Sequence, residues 1–151
     1  MTERLSARLQ AIVDALPLER GMRVLEIGCG PGAAARAVAR RVGDGFVLAI
    51  DRSARAVALA RTACRFEIEA GAVDVRQIAA EDFRLQEGDA PFDLAFAVRV
   101  GALDGRHPAA GRAARQRIAA ALAPHGRLFI DGGDPLREID LSKDDALRIR
   151  A

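Results

Sequence analysis

Glu26 stands two residues ahead of three alternating glycines, Gly28, Gly30 and Gly32, and Asp51 follows 23 positions after Gly28. Glycines at that spacing let a backbone turn sharply and come close to a ligand, and a turn that opens a helix presents free N–H groups there. A carboxylate placed as Asp51 is accepts two hydrogen bonds from a ribose 2′,3′-diol. The combination implies a nucleotide-like ligand. A second set, Arg99, Asp104, His107, Asp131 and Asp134, has the chemistry to handle a second molecule. The Arg99 guanidinium suits a carboxylate or phosphate, its structural alternative being a salt bridge to Asp104 or Asp131. The His107 imidazole has the intrinsic pKa of a general base, although a histidine before Pro108 is also an ordinary exposed turn residue. His125, in a Pro-His-Gly turn, reads as structural.

These residues lie between alternating apolar runs. Leu5, Leu9, Ile12 and Leu16 recur at helical spacing, and Pro17 ends that N-terminal helix. Residues 23–27 form a short apolar run closed by the glycine turn, and Ala34, Val38 and Val42 mark the helix that follows. Residues 46–50 end at Asp51, Ser53 caps the next helix, and Val57, Ala60, Cys64 and Ile68 give that helix an inner face. Further strands are expected at 73–78, 92–98 and 127–131, with a helix at about 109–123 stopped by Pro124-His125-Gly126. Strands alternating with helices imply right-handed βαβ crossovers, hence an α/β fold with a parallel sheet covered on both faces. In such sheets ligands sit at the carboxyl ends of the strands, where strand order reverses. Glu26, the glycines, Asp51, Arg99 and Asp131 all fall at strand ends.

Composition narrows the field. The chain has 151 residues, the size of a single domain, and half of them are apolar with 29% charged. No run approaches the ~18 apolar residues of a membrane span. A net charge of +2 is no nucleic-acid footprint. Two cysteines, Cys29 and Cys64, cannot build a disulfide scaffold, and Met1 opens directly into an amphipathic pattern, so a cytoplasmic setting is expected. There is no Cys/His cluster at metal-binding spacing, so no metal is expected. Tyr and Trp are absent, which leaves recognition to Phe, Leu and Arg.

The segment 24–32, Val-Leu-Glu-Ile-Gly-Cys-Gly-Pro-Gly, resembles the first motif of class I S-adenosylmethionine-dependent methyltransferases. Ala49-Ile50-Asp51-Arg52-Ser53 is similar to the family's ribose-binding strand end, Ala80-Glu81-Asp82-Phe83 to its adenine-side loop, Phe92-Asp93-Leu94 to its fourth strand, and residues 122–128 to its turn into the fifth. The likeness spans about 20–132. It implies a Rossmann-like doubly wound parallel sheet of order 3-2-1-4-5 and S-adenosylmethionine as cofactor. Glu26, Gly28, Cys29, Gly30 and Gly32 would hold its methionine part and Asp51 its ribose. Arg52, Ala80, Glu81, Asp82 and Ala97 would lie around the remainder. One departure is Ala79, which stands where the family often has an Asp for the adenine amino group, so Glu81 or Asp82 substitutes or that contact is lost. Arg52 could cover the adenine with its planar guanidinium.

The implied reaction is methyl transfer to a small-molecule acceptor, with Arg99 and His107 as the candidate catalytic pair. No Asn-Pro-Pro-Tyr-type segment is present, which disfavours the methyltransferases of adenine and amide nitrogen, and Arg99 occupies the place where the Mg²⁺-dependent catechol type needs a cation ligand. Two other readings stand beside this one. Gly28, Gly30 and Ala33 also satisfy the dinucleotide pattern of a nicotinamide-dependent reductase, but Glu26 would then face a pyrophosphate of like charge. Alternatively the chain is a catalytically silent cofactor-binding subunit that needs a partner. Residues 132–151 are too few for the two further strands usual in the family, so the fifth strand is expected to have its edge covered by this tail or by a second subunit in a homodimer. Ser142, with an acid three residues on, reads as a late helix start.

Overall fold

The computed structural model describes residues 5–143. Strands β1 (Arg23–Ile27), β2 (Phe46–Asp51), β3 (Val73–Gln77), β4 (Phe92–Ala97), β5 (Leu122–Asp131) and β6 (Leu136–Ile139) form one sheet of order β3-β2-β1-β4-β5-β6. The first five are mutually parallel, and β6 runs antiparallel to β5, Leu128 opposite Ile139 and Asp131 opposite Leu136. The 3-2-1-4-5 order expected from sequence is therefore present. Of the two further strands read as not fitting, one is present, and the first of the two ways expected for the edge of the fifth strand to be covered is the one found: Leu136–Ile139, from the tail, runs along β5. Its Leu-Arg-Glu-Ile pattern is short and charged in the middle, suited to an outer strand whose exposed pair faces water.

The central strands β1, β2 and β4 are almost wholly buried and, Glu26 apart, apolar in their interiors because both faces are covered, whereas β3 alternates. Val24, Val47, Ala49, Val75 and Phe96 pack on one side with α1 (Ala7–Ala15), α2 (Ala33–Val42) and α3 (Ala54–Ala63). Leu25, Ile27, Leu48, Ile50 and Ala95 pack on the other with α5 (Pro108–Ala121), whose Ala114, Ile118 and Ala121 are buried. Phe96 lies wholly buried in the first layer. Phe96→Ala should lower unfolding stability by about 3–5 kcal/mol, read as a lower urea midpoint with an unchanged slope.

Ser53 caps α3 as expected, its hydroxyl accepting from the Ala56 N–H at 3.2 Å. The helix that the periodicity carries through Cys64 to Ile68 is instead two, α3 and the short α4 (Arg65–Glu69), because Cys64 leaves helical geometry at ψ 14°. The Pro124–Gly126 stretch is extended rather than a turn, and a register shift opposite Phe92 and Leu94 accommodates it. Leu141–Lys143 forms a single 3₁₀ turn, and the rest of the helix start read at Ser142 lies outside the described residues. Among the described residues no helix is long and apolar enough to cross a membrane.

Candidate functional site

The order of strands reverses between β1 and β4, and a cavity of about 580 Å³ opens at their carboxyl ends. One wall comes from β1, β2 and the segment after β3: Ile27, Gly28, Ile50, Asp51, Arg52, Ile78, Ala79, Ala80 and Glu81. The facing wall comes from the loop after β4 and the start of α5: Arg99 to Ala102, Arg106, His107 and Ala110. Of the residues singled out from sequence, Gly28, Asp51, Arg52, Ala80, Glu81, Arg99 and His107 thus share one cavity. Asp82 sits in the 3₁₀ turn beside Glu81 and outside the lining, and Ala97 is buried at the end of β4 beneath it. Glu26, Cys29, Gly30 and Gly32 are not in its lining: Glu26 lies within β1 next to the lining residue Ile27, and the other three in the turn that continues from Gly28.

The turn is held by its own backbone. The N–H groups of Gly28 and Cys29 both donate to the Ile50 carbonyl, at 2.8 and 3.0 Å, and that of Gly32 donates to Cys29 at 3.2 Å. The Gly30 N–H donates to Asp51 Oδ2 at 3.0 Å, while the Ser53 N–H donates to Oδ1 at 2.9 Å. Pro31 has no N–H. Sequence alone suggested amides offered to a ligand; in the structure the turn has already consumed them. Asp51 consequently has two duties, bracing the glycine turn and presenting its remaining lone pairs to the cavity. Gly28 has φ +71°, and a Cβ there would meet Val100 Cγ2 at 2.6 Å; at Gly32, φ +91°, a Cβ would press on Ala60 and Cys64.

Glu26 is the one buried charged residue among those described, 4% exposed, and its Oε1 has no hydrogen-bond partner. Burial, reinforced by the nearby Asp51 charge, pushes its pKa up to about 8. A carboxyl held in this way is poised to gain a cation. Both thiols are also pushed upward by burial, Cys64 to about 11, so neither is a nucleophile at neutral pH.

On the facing wall Arg99 has φ +57°, the one non-glycine residue with positive φ among those described. Its N–H donates to Asp131 Oδ1 at 3.0 Å, and Asp131 Oδ2 is held at 2.7 Å by Arg8 of α1. Asp104 is taken by Arg106, Nε to Oδ2 at 2.8 Å. The His107 ring lies against Gly101, where a Cβ would stand 3.0 Å from its Cδ2, so a glycine is what gives the imidazole its place. His125 pairs with Asp93 at 2.7 Å, away from the cavity lining, in keeping with a structural role. Sequence reasoning missed Arg8, Val100, Gly101, Arg106 and Ala110. Four of them adjoin the sought residues in the loop and first turn after β4, a usable signal. Arg8 is 123 residues from its partner and gave none. Among the described residues no group of three or more His, Cys, Asp or Glu side chains is placed to hold a metal ion.

Residues 24–126 match the family model of a methyltransferase domain. An O-methyltransferase, rstn1, of Aspergillus nomiae is 33% identical over 144 residues, covering 91% of this chain and 59% of the relative. Among solved structures, the [4+2]-cyclase SpnF superposes with a TM-score of 0.65 at 27% identity, over 81% of this chain and 42% of that one. A S-adenosylmethionine-dependent methyltransferase from Thiobacillus denitrificans, in complex with S-adenosyl-L-homocysteine, gives 0.65 at 24% identity, over 86% and 50%. This chain therefore spans about 60% of the curated relative's length and half or less of these two structures. With its strand order, its glycine turn after β1 and the match across 24–126, the chain belongs to the methyltransferase domain family.

Proposed function

We propose that the chain binds S-adenosylmethionine and transfers its methyl group to a small-molecule acceptor. The observation that carries this reading is the buried, unpartnered carboxyl of Glu26 beside a glycine turn whose amides are already used. A pyrophosphate requires free amides and no buried acid beneath it, whereas an ammonium requires an acid. The residues therefore fit the amino-acid end of S-adenosylmethionine better than a dinucleotide.

Glu26 would take the ammonium and Asp51 the ribose hydroxyls. Arg52, Ile78, Ala79 and Ala80 would enclose the adenine, with Glu81 beside it. The cofactor supplies an electrophilic methyl on a sulfonium. Displacement at that carbon runs in line, so the facing wall mainly has to align the acceptor and exclude water. Val100 and Ala102 supply the apolar part of that wall. His107, whose ring lies against Gly101, would take the proton of an acceptor hydroxyl on an imidazole nitrogen and pass it to solvent on its exposed side. The name of the Aspergillus relative makes an oxygen acceptor the first to test.

Isothermal titration with S-adenosylhomocysteine tests the binding step. Binding is expected, and Asp51→Ala should weaken it about ten- to a hundredfold, the worth of losing charge-assisted hydrogen bonds. No heat at millimolar ligand would overturn the reading. Methylation by the isolated chain would separate an enzyme from a silent binding subunit.

A further inference from the structure

The cavity's two walls differ in charge. The β2–β3 wall carries Asp51 and Glu81 together with Arg52, so its charges nearly balance. The β4–α5 wall carries Arg99, Arg106 and His107 and no acid in its lining. Both acids that could have neutralised Arg99 are engaged elsewhere: Asp104 pairs with Arg106, and Asp131 spends one oxygen on Arg8 and the other on the Arg99 backbone N–H. The Arg99 guanidinium is left without an acidic partner among the described residues. Its backbone is held in the left-handed region, a conformation that is unfavourable for an arginine and persists only where surroundings impose it. Here Asp131 imposes it, braced from α1. Three residues far apart in sequence thus cooperate to set one unpaired guanidinium on the acceptor side of a cavity.

From this juxtaposition we propose that the methyl acceptor carries a carboxylate and that Arg99 receives it. The proposal rests on the methyltransferase reading above, and it names the substrate class of that site. A single unneutralised guanidinium matches one negative charge, and its planar fork fits the two oxygens of a carboxylate. A phosphate dianion would call for a second free cation on this wall; Arg106 is committed to Asp104, and Arg52 stands on the facing wall. Asp131 and Arg8 act as positioning residues. The carboxylate would anchor the acceptor at one end and leave its nucleophilic oxygen to be turned toward His107, which lines the same wall.

The test uses the whole chain loaded with S-adenosylhomocysteine and titrated with matched pairs: benzoate and benzamide, phenylacetate and phenylacetamide, cinnamate and cinnamamide, with phenyl phosphate as a further arm. In at least one pair the carboxylate should bind about tenfold or more tightly than the amide, as a charge-assisted pair requires. Arg99→Asn should erase that preference, and Arg99→Lys should retain only part of it. Asparagine is chosen because it tolerates the left-handed backbone, so the loop is not asked to refold. Amides that bind as well as their acids, a preference that survives Arg99→Asn, or no binding of any member would each overturn the proposal. Phenyl phosphate binding more tightly than every carboxylate would overturn the assignment to a carboxylate. Failure of S-adenosylhomocysteine itself to bind would instead overturn the underlying methyltransferase reading, and the two failures are read in separate titrations.

Discussion

Binding of S-adenosylhomocysteine at pH 7 should release close to one proton, and Glu26→Gln should abolish that release while weakening binding about a hundredfold or more. The proton comes from Glu26. Without ligand its carboxyl is raised to about 8, chiefly by burial and then by Asp51, so at pH 7 it is largely protonated. An ammonium placed against it stabilises the carboxylate form and expels the proton. Apparent affinity should therefore rise from pH 6 to pH 8. Calorimetry in buffers of different ionisation enthalpy measures the proton directly, and equal heats in phosphate and Tris would contradict the assignment. The magnitude follows because a glutamine keeps the shape but leaves a buried cation unmatched, a loss of about 3–5 kcal/mol.

The same group predicts a pH dependence of stability with a definite sign. Glu26 is an acid whose folded pKa is raised, from about 4.5 to about 8. Below pH 4.5 it is protonated in both states and contributes nothing. Between 4.5 and 8 the unfolded chain gives up the proton and the folded chain retains it. The ligand-free protein should therefore lose stability across that window as pH rises, and Glu26→Gln should flatten this component.

Gly28→Ala should abolish measurable ligand binding and lower stability by about 2–4 kcal/mol. Two costs combine: a left-handed backbone at φ +71° is worth about 1–2 kcal/mol for a residue with a Cβ, and the new methyl would meet Val100 Cγ2 at 2.6 Å. Val100 lines the cavity wall opposite, so relief of the clash displaces that wall. The double variant Gly28→Ala/Val100→Ala separates the two costs. It should recover the packing share and leave the backbone share, as measured by denaturant midpoints. Full recovery in the double variant would mean that φ at this position carries no strain.

The layout of the sheet and its carboxyl-end site was legible in sequence wherever local signals agreed. The apolar run 23–27, the glycines behind it, Asp51 and the Ser53 cap each speak through their immediate neighbours, and all four landed where expected. Signals failed where the decisive partner is remote. Leu136–Ile139 is too short and too charged to read as a strand until the open edge of β5 is seen beside it. The helix break at Cys64 is hidden because Ile68 keeps the 3.6-residue period across it. At Arg99 the sequence allowed a salt bridge or a ligand, and only the engagement of Asp104 by Arg106 and of Asp131 by Arg8 shows that neither salt bridge forms. Likewise, no pattern of residues reveals that the Gly30 amide is spoken for by Asp51.

That last bond has a thermodynamic consequence. Because the turn between β1 and α2 is closed by its own hydrogen bonds in the ligand-free chain, its ordering entropy is borne once, on folding, and is not charged again to each binding event. The site is accordingly preorganised on this side, and association should not wait for this turn to find its shape.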